Sequence, residues 1–202
     1  MSSVAFLCSL ALTHVGKPPI DDINEASAEA RACKQFYDIT RDTLVQAYPW
    51  RVFRRTLALA AVTNDKAEAW GYAYARPTDA LKVWRLMDSL MGDYLPYSDL
   101  TRAGGHKYDI EGGVIYCHIS PAYLQFGARS LSLDPTRYPP LFQQAFAWHL
   151  GHLIAMPLTK DFKLSQFCLN AGVKWQNMAA AADANEVPET TEHASEAIEA
   201  RG

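Results

Sequence analysis

Two histidines one helical turn apart, His149 and His152, are the pair in this 202-residue sequence best spaced to act together. The i, i+3 spacing places both imidazoles on one face of a helix, where they could bind a metal ion or transfer protons. A metal site needs further ligands, and the nearest downstream acid is Asp161, beyond Pro157. One interpretation is a hydrolase or metal-dependent enzyme using His149, His152 and Asp161. The favoured one is a helix in which His149 packs beside Trp148 and His152 meets solvent or another subunit.

The remaining reactive side chains form no recognisable catalytic motif. The serines lie outside any G-x-S-x-G sequence, and Cys117 and His118 point to opposite faces if they lie on a strand. The cysteines lack a C-x-x-C spacing, so we expect reduced, small apolar residues at Cys8, Cys33, Cys117 and Cys168. The sequence therefore predicts no catalytic residue, no metal ligand, no cofactor and no enzymatic activity.

The Gly16-Lys17 pair could be part of a phosphate-binding loop, but its neighbours favour a structural role. Such a loop requires an upstream glycine and backbone N–H groups, and Pro18-Pro19 supplies no N–H. The alternative is a helix end at Gly16, because glycine suits the left-handed C′ position and proline prevents the helix from continuing. We predict a rigid corner between two helices here.

The charge of the sequence is concentrated in one short segment. The net charge is −3, and residues 186–202 hold −4, which leaves +1 for the rest. Arg51, Arg54 and Arg55 lie among aromatic residues, as in some surfaces that bind nucleic acid. A small nucleic-acid-binding module normally has a wider basic stripe, so a salt-bridge strip between subunits is the favoured use of these arginines.

The first sixteen residues, "MSSVAFLCSLALTHVG", contain an apolar run without a basic n-region or a small-residue cleavage site. The run is also shorter than the roughly 20 apolar residues that span a bilayer. We expect a soluble chain made in the cytoplasm, with no membrane partner. The hydrophobic fraction of 49% supports a packed core.

Two helices are predicted at the start of the sequence. The first covers residues 4–15 and is apolar all round, as in a buried or interface helix. The second begins near Asp22, where Asp22 and Glu25 approximate a capping box, and it ends at Pro49. Its polar face is predicted to include Arg41.

Two further helices are predicted after Pro139. Pro140 suits the N1 position of the first, and Pro157 breaks or bends it. In the second, Phe167, Ala171 and either Lys174 or Trp175 fall on related faces. The apolar stripe of the first consists of Phe142, Ala145, Phe146, His149, Leu150 and Leu153.

The intervening residues favour β-structure. Strands are predicted in "WRVFRRTLALAAV", "GYAYARP", "ALKVWRLM", "YDIEGGVIYCHI" and "AYLQFGARS". Gly112-Gly113 is predicted to form a two-residue hairpin turn, since both glycines tolerate positive φ. Asp109 and Glu111 would share one face of the hairpin and be solvated.

The order of these elements predicts an α+β fold, in which N- and C-terminal helices form a bundle and an antiparallel β-rich region is inserted between them. The predicted domains are a helical bundle of residues 1–49 and 136–185 and a β-rich domain of residues 50–135. Residues 186–202 have too little apolar surface to offset the entropy of ordering and are predicted to be a flexible acidic tail.

In this order the segments resemble the tail tubular protein A-like family, the head-to-tail adaptors or connectors of short-tailed bacteriophages. The resemblance begins with "VGKPPIDDINEASAEARACKQFYDITRDTLVQAYPW" and continues through "YAYARPTDALKVWRL" and "YDIEGGVIYCHISPAYLQF". It ends with "YPPLFQQAFAWHLGHLIAMPLTKD", where the family more usually has alanine and leucine in place of His149 and His152. It covers about residues 4–180 and not the acidic tail.

The resemblance implies a structural virion protein assembled in the host cytoplasm. Family members form a homo-oligomeric ring, typically a dodecamer, between the portal protein and the tail nozzle or tubular protein. Viral DNA passes through the lumen during ejection without sequence-specific binding. The resemblance further implies that the helical part contacts the portal and the β part takes part in ring and tail contacts. It brings no catalytic residues.

Overall fold

The computed structural model describes residues 3–88 and 106–186. The helices in these ranges are α1 (Val4–His14), α2 (Ala28–Ala47), α3 (Arg129–Ser132), α4 (Pro140–Thr159) and α5 (Phe162–Asn185). The strands are β1 (Arg54–Ala58), β2 (Tyr72–Ala75), β3 (Ala80–Met87), β4 (Tyr108–Glu111), β5 (Val114–Cys117) and β6 (Tyr123–Ala128). Apart from Glu186, the predicted acidic tail lies outside the described residues.

The corner after α1 forms as predicted. Gly16 has a φ of +68°, its N–H donates to the Thr13 carbonyl at 3.1 Å, and the N–H of Lys17 donates to the Leu12 carbonyl at 2.9 Å. This is the Schellman arrangement, in which a left-handed glycine satisfies the last carbonyls of a helix. The Ser9 hydroxyl then fixes the following chain, because it donates to the Ile20 carbonyl and accepts from the Ile20 N–H.

The predicted start of α2 at Asp22 is wrong. The helix begins at Ala28, and the hydroxyl of Ser27 caps it by accepting the Ala30 N–H at 3.0 Å. Asp22 instead accepts the N–H of Asn24 at 2.7 Å, which closes a local turn. A short polar side chain stabilises such a turn as readily as a helix start, and the Ala-rich sequence after Ser27 favours the later start.

The predicted break at Pro157 is also wrong, although α4 does begin at Pro140. The helix continues through Pro157 to Thr159 and ends where Lys160 adopts a left-handed φ of 57°. A proline this close to the end of a helix removes a single backbone hydrogen bond, so the last turn can still form. The next helix, α5, starts at once with Asp161 as its N-cap.

The helical core is organised around α4, which packs against α1, α2 and α5. Phe142 and Phe146 of α4 are fully buried, and the ring of Phe142 lies 5.0 Å from the ring centroids of both Trp50 and Phe53. Aromatic pairs in such edge-on arrangements stabilise a core beyond their buried area. Within the predicted stripe of α4, Ala145 and Leu150 are buried whereas His149 and Leu153 are half-buried.

The strands form two three-stranded antiparallel sheets, with strand orders β1-β6-β3 and β2-β5-β4. A second cluster of buried side chains takes Leu124 and Phe126 from the first sheet and Tyr74 and Ile115 from the second. The Nζ of Lys82 on β3 donates to the Gln46 carbonyl at 3.0 Å, which links the first sheet to the end of α2. The β-rich residues therefore have a core of their own beside the helices.

The hairpin of β4 and β5 turns at Gly112 and Gly113, which have φ values of 57° and 82°, as predicted. Its register pairs Ile110 with Ile115, and Ile115 is fully buried. Glu111 is exposed, but it forms an ion pair with Lys66, which the sequence did not predict.

Helices from both ends of the described chain thus pack together around α4, with the two antiparallel sheets inserted between them in sequence. The α+β class predicted from the sequence is confirmed. Of the helices in residues 3–88 and 106–186, none combines the length and the hydropathy that crossing a bilayer requires.

Candidate interaction surface

His149 and His152 both point from α4 toward α5, where each meets a different partner. The Nε2 of His149 lies 3.0 Å from the side-chain oxygen of Gln176. The Nδ1 of His152 lies 3.0 Å from the carbonyl oxygen and 2.9 Å from the hydroxyl of Ser165. Burial lowers the pKa of His149, which favours its neutral form. In this geometry the two histidines join α4 to α5.

The two helices approach closely at Gly172, where a Cβ atom would lie 3.1 Å from the ring of His149. Gly151 makes a second close contact, since a Cβ there would lie 3.6 Å from the Ala11 carbonyl and 3.7 Å from the sulfur of Cys168. These glycines let α4 pack tightly against α1 and α5. The histidines therefore lie within a helix interface and not at the wall of a cleft.

Asp161 does not join the histidines. Its carboxylate accepts the backbone N–H groups of Lys163 and Leu164 at 2.8 Å and 3.1 Å, as an N-cap of α5 does. Nowhere in the described part of the chain do three or more His, Cys, Asp or Glu side chains lie close enough to hold a metal ion. His149, His152 and Asp161 therefore each bond to a different part of the chain and do not form one site.

All four cysteines are buried and free, as expected. Cys8 on α1 and Cys33 on α2 are neighbours, which no local pattern in the sequence predicts. The pKa of the Cys8 thiol is raised because the thiol donates a hydrogen bond to the sulfur of Cys33 and because it is buried. The pair belongs to the helical core, where neutral thiols act as small apolar groups.

The three clustered arginines differ in their contacts, and of their side chains that of Arg55 forms an ion pair. The backbone N–H of Arg51 donates to both carboxylate oxygens of Asp183, at 3.1 Å and 3.3 Å. The guanidinium of Arg55 is exposed and reaches Asp79 at 3.5 Å. Burial raises the pKa of Asp183, which is the last acid of α5. A salt-bridge strip between subunits stays a prediction for these residues.

Arg41 is not on the polar face of α2 as predicted, because its residue surface is only 6% exposed. Its guanidinium bonds to Asp38 at 2.7 Å and to Asp42 at 2.8 Å, and Asp42 also bonds to Arg129 at 2.8 Å. A buried guanidinium is tolerated only when carboxylates satisfy it in this way. The network connects α2 to α3 at the end of the first sheet.

The most distinctive surface is the side of α5 that faces away from α4. We call it the outer face of α5, and its exposed apolar residues are Phe162, Phe167, Val173 and Met178. Phe162 and Phe167 are 69% and 61% exposed, respectively, which is unusual for phenylalanine. The main packing partner of this 24-residue helix is α4, and the four apolar side chains remain exposed in the described structure.

Aromatic side chains beside the outer face pack against one another. The ring of Phe167 lies 5.8 Å from that of Trp148 at an angle of 76°, and Trp148 stacks on His14 with 3.6 Å between ring centroids. This face was not predicted from the sequence. The signal that could have found it is that the apolar residues of α5 do not fall on one stripe. A helix with apolar residues on several sides has more than one apolar neighbour in its functional state.

Comparisons of the chain with models of known protein families and with curated proteins find no match. The function is therefore inferred from the described surface and from the sequence. Among the described surfaces, the outer face of α5 is the one that most needs a partner, since exposed apolar residues beside polar ones mark interaction sites.

Proposed function

We propose that the chain is a structural virion protein: a head-to-tail adaptor of the tail tubular protein A-like kind, forming a ring between the portal and the tail nozzle. The ring is a dodecamer, and viral DNA passes through its lumen. The observation that carries the proposal is the outer face of α5, whose phenylalanines and methionine lie exposed on a helix with one main packing partner. The sequence resemblance over residues 4–180 supplies the identity of the partners.

Exposed aromatic and Met side chains are the residue types that contribute most to protein–protein interfaces. Removing their surface from water contributes roughly 25 cal/mol per Å² of apolar area. A stable interface buries upward of about 1,000 Å² in total, which a helix as long as α5 can supply together with a neighbouring element. A structural partner therefore accounts for this face better than a small ligand does.

A closed ring also needs a second, different patch on each subunit, because its contacts run head to tail. Two exposed aliphatic side chains outside α4 and α5 are candidates for this patch: Ile39 on α2 and Leu133 after α3. They lie on other elements than the outer face of α5, as a heterologous contact requires. The portal would occupy the rest of the helical surface.

The test is to mix the purified chain with the portal protein of the same phage and to image the complex by electron microscopy. We expect a ring on the portal with the wild-type chain, and none when Phe167→Gln and Met178→Gln remove the apolar groups. The matched control replaces two exposed polar neighbours on the same helix, Gln166→Ala and Asn177→Ala, and should dock normally. Normal docking of the Phe167/Met178 variant, or absence of the chain from purified phage particles, would contradict the proposal.

A further inference from the structure

Two thiols are in contact between the first two helices of the fold. Cys8 lies on α1 and Cys33 on α2, and the thiol of Cys8 donates a hydrogen bond to the sulfur of Cys33. Both side chains are fully buried in the helical core. The other two cysteines have different surroundings: Cys117 belongs to the core of the sheets, and Cys168 lies where α4 packs against α5. The first pair is therefore a dithiol, and the other two thiols serve as internal comparisons.

We propose that Cys8 and Cys33 are a redox site, which hydrogen peroxide converts to a disulfide that joins α1 to α2. One thiolate attacks a peroxide oxygen, which breaks the O–O bond, gives a sulfenic acid and releases hydroxide. The second thiol then attacks the sulfenic sulfur, so the S–S bond forms and the hydroxyl group leaves as water with the thiol proton. In total, two thiols are oxidised, one peroxide is reduced and two molecules of water are released.

The hydrogen bond between the two sulfurs favours the first step. It lowers the pKa of Cys33 and raises that of Cys8, because the S–H group of Cys8 stabilises a thiolate at Cys33. The thiolate is the nucleophilic form of cysteine, so Cys33 attacks the peroxide and Cys8 resolves the sulfenic acid. Because the resolving thiol is already in contact, the closing step is intramolecular and outpaces further oxidation to a sulfinic acid.

Burial slows this reaction without preventing it. Hydrogen peroxide is close to water in size, and local opening of one helix is enough to admit it. The helix that opens with the smallest loss of contacts is α1, which has 11 residues against 20 or more in each of α2, α4 and α5. Opening of α1 exposes Cys8 and uncovers Cys33 together, so both thiols of the pair become accessible in one event.

The disulfide stabilises the helical core because it closes a loop of residues 8–33. A cross-link restricts the unfolded chain, and a loop of this length corresponds to a rise of about 5–10 °C in melting temperature. The same bond fixes the helix that supports the outer face of α5. His14 of α1 stacks on Trp148, and Trp148 packs against Phe167 of that face.

The biological consequence rests on the proposed function. A virion protein is made in the reducing cytoplasm, where the pair stays a dithiol and leaves folding unhindered. The released particle then meets an oxidising medium, in which structural disulfides persist. Closure after release stabilises the helical core of each subunit in the assembled particle.

The test uses the purified full chain, freshly reduced and then freed of reductant. Hydrogen peroxide is added, the remaining thiols are alkylated in denaturant, and peptides of the monomeric fraction are identified by mass spectrometry. We expect the peptides of Cys8 and Cys33 to be joined, with the loss of two hydrogen atoms, while Cys117 and Cys168 remain alkylated. A chain oxidised in urea, where every thiol is accessible, is the positive control for the oxidant.

Three results of this test overturn the proposal. The first is alkylation of both Cys8 and Cys33 in the folded chain under conditions that oxidise the chain in urea. The second is recovery of either residue as an unjoined sulfinic acid. The third is a disulfide that joins Cys8 or Cys33 to a different cysteine.

A second measurement follows the stability of the oxidised chain. The melting temperature of wild type should rise by about 5–10 °C on oxidation and return when a reductant is added. The matched variant is Cys33→Ala, whose melting temperature peroxide should leave unchanged. An equal rise in this variant, or no rise in wild type, overturns the proposal. Neither measurement involves the portal, so a joined pair in a chain that fails to dock contradicts the proposed function alone, and docking of a chain whose pair never joins contradicts this inference alone.

Discussion

The ring of His149 lies half-buried between α4 and α5, and this burial makes the stability of the protein depend on pH. Its pKa is lowered below the ordinary value of 6.5 because burial penalises the charged form. The unfolded chain therefore binds a proton more readily than the folded chain does. The resulting stability is fully present above pH 6.5 and is lost as the pH falls through the lower pKa of the folded state.

We accordingly expect the free energy of unfolding in urea to decrease between pH 7 and pH 5, and to decrease less in a His149→Gln variant. Burial also lowers the pKa of His14, which contributes a change of the same sign, so the wild-type and variant slopes have to be compared. Equal slopes would show that His149 is equally easy to protonate in both states.

Some residue roles could be read from the sequence and others could not. Gly16 was predictable because a glycine followed by two prolines has few other uses. The burial of Arg41 was not, since it depends on Asp38 and Asp42 and on Arg129, which is far away in sequence. For the candidate site, the spacing of the two histidines predicted that they lie on one helix. It could not predict their hydrogen-bond partners on α5. Gln176 and Ser165 are ordinary polar residues until the helices pack.

At the scale of the elements, the β4–β5 hairpin depends on the conformation of its turn. Gly113 has a φ of 82° and no atom within 4 Å of where a Cβ would be, so substitution there introduces strain without a clash. Gly113→Val should destabilise the protein by about 1–3 kcal/mol, because a β-branched residue resists positive φ. Gly113→Asn is the matched control and should cost less, since asparagine tolerates the left-handed region. Thermal unfolding measures both, and similar melting of the two variants would contradict the strain explanation.

The start of α5 separates a structural role of Asp161 from a catalytic one. Asp161→Ala removes the N-cap and should destabilise the protein by about 0.5–2 kcal/mol, whereas Asp161→Asn should be nearly neutral because asparagine caps equally well. Denaturant unfolding of the two variants measures the difference. Under the hydrolase interpretation the carboxylate itself would be needed. A hydrolytic activity that is present in wild type and lost in the well-folded Asp161→Asn variant would therefore support that interpretation.

The existence and type of most elements followed from periodicity, but their ends and their pairing did not. The helix α3 was missed, because "AYLQFGARS" was predicted to be a strand as far as Ser130, whereas the strand ends at Ala128 and Arg129–Ser132 are helical. The start of α2 moved to Ala28 because two polar capping sequences compete locally and the chain uses the second. The strand order β1-β6-β3 joins segments about seventy residues apart for β1 and β6 and about forty apart for β3 and β6, and no local pattern specifies such pairings. The exposed side of α5 was not predicted, because it became a surface only once α4 was known to be the main neighbour of this helix.

At the scale of the whole molecule, the distribution of charge determines the affinity that we expect the chain to have for DNA. Outside the acidic segment the sequence is nearly neutral, and several arginines of the described chain already face carboxylates. Arg41 and Arg129 share Asp42, and Arg55 reaches Asp79. DNA affinity depends on the number of phosphates that free cations neutralise, so the lumen of the proposed ring should let DNA slide.

We therefore expect the isolated chain to show only non-specific DNA binding, with a dissociation constant no tighter than about 10⁻⁶ M at physiological salt. Fluorescence anisotropy with a labelled duplex, repeated over a range of salt concentrations, measures the affinity and its salt dependence. The matched variant replaces Arg51, Arg54 and Arg55 with glutamine, and its affinity should equal that of wild type. Tighter binding whose salt dependence decreases in this variant would identify the arginines as phosphate contacts and would favour the nucleic-acid-binding module over the adaptor, because a ring that holds its DNA at every subunit would slow ejection.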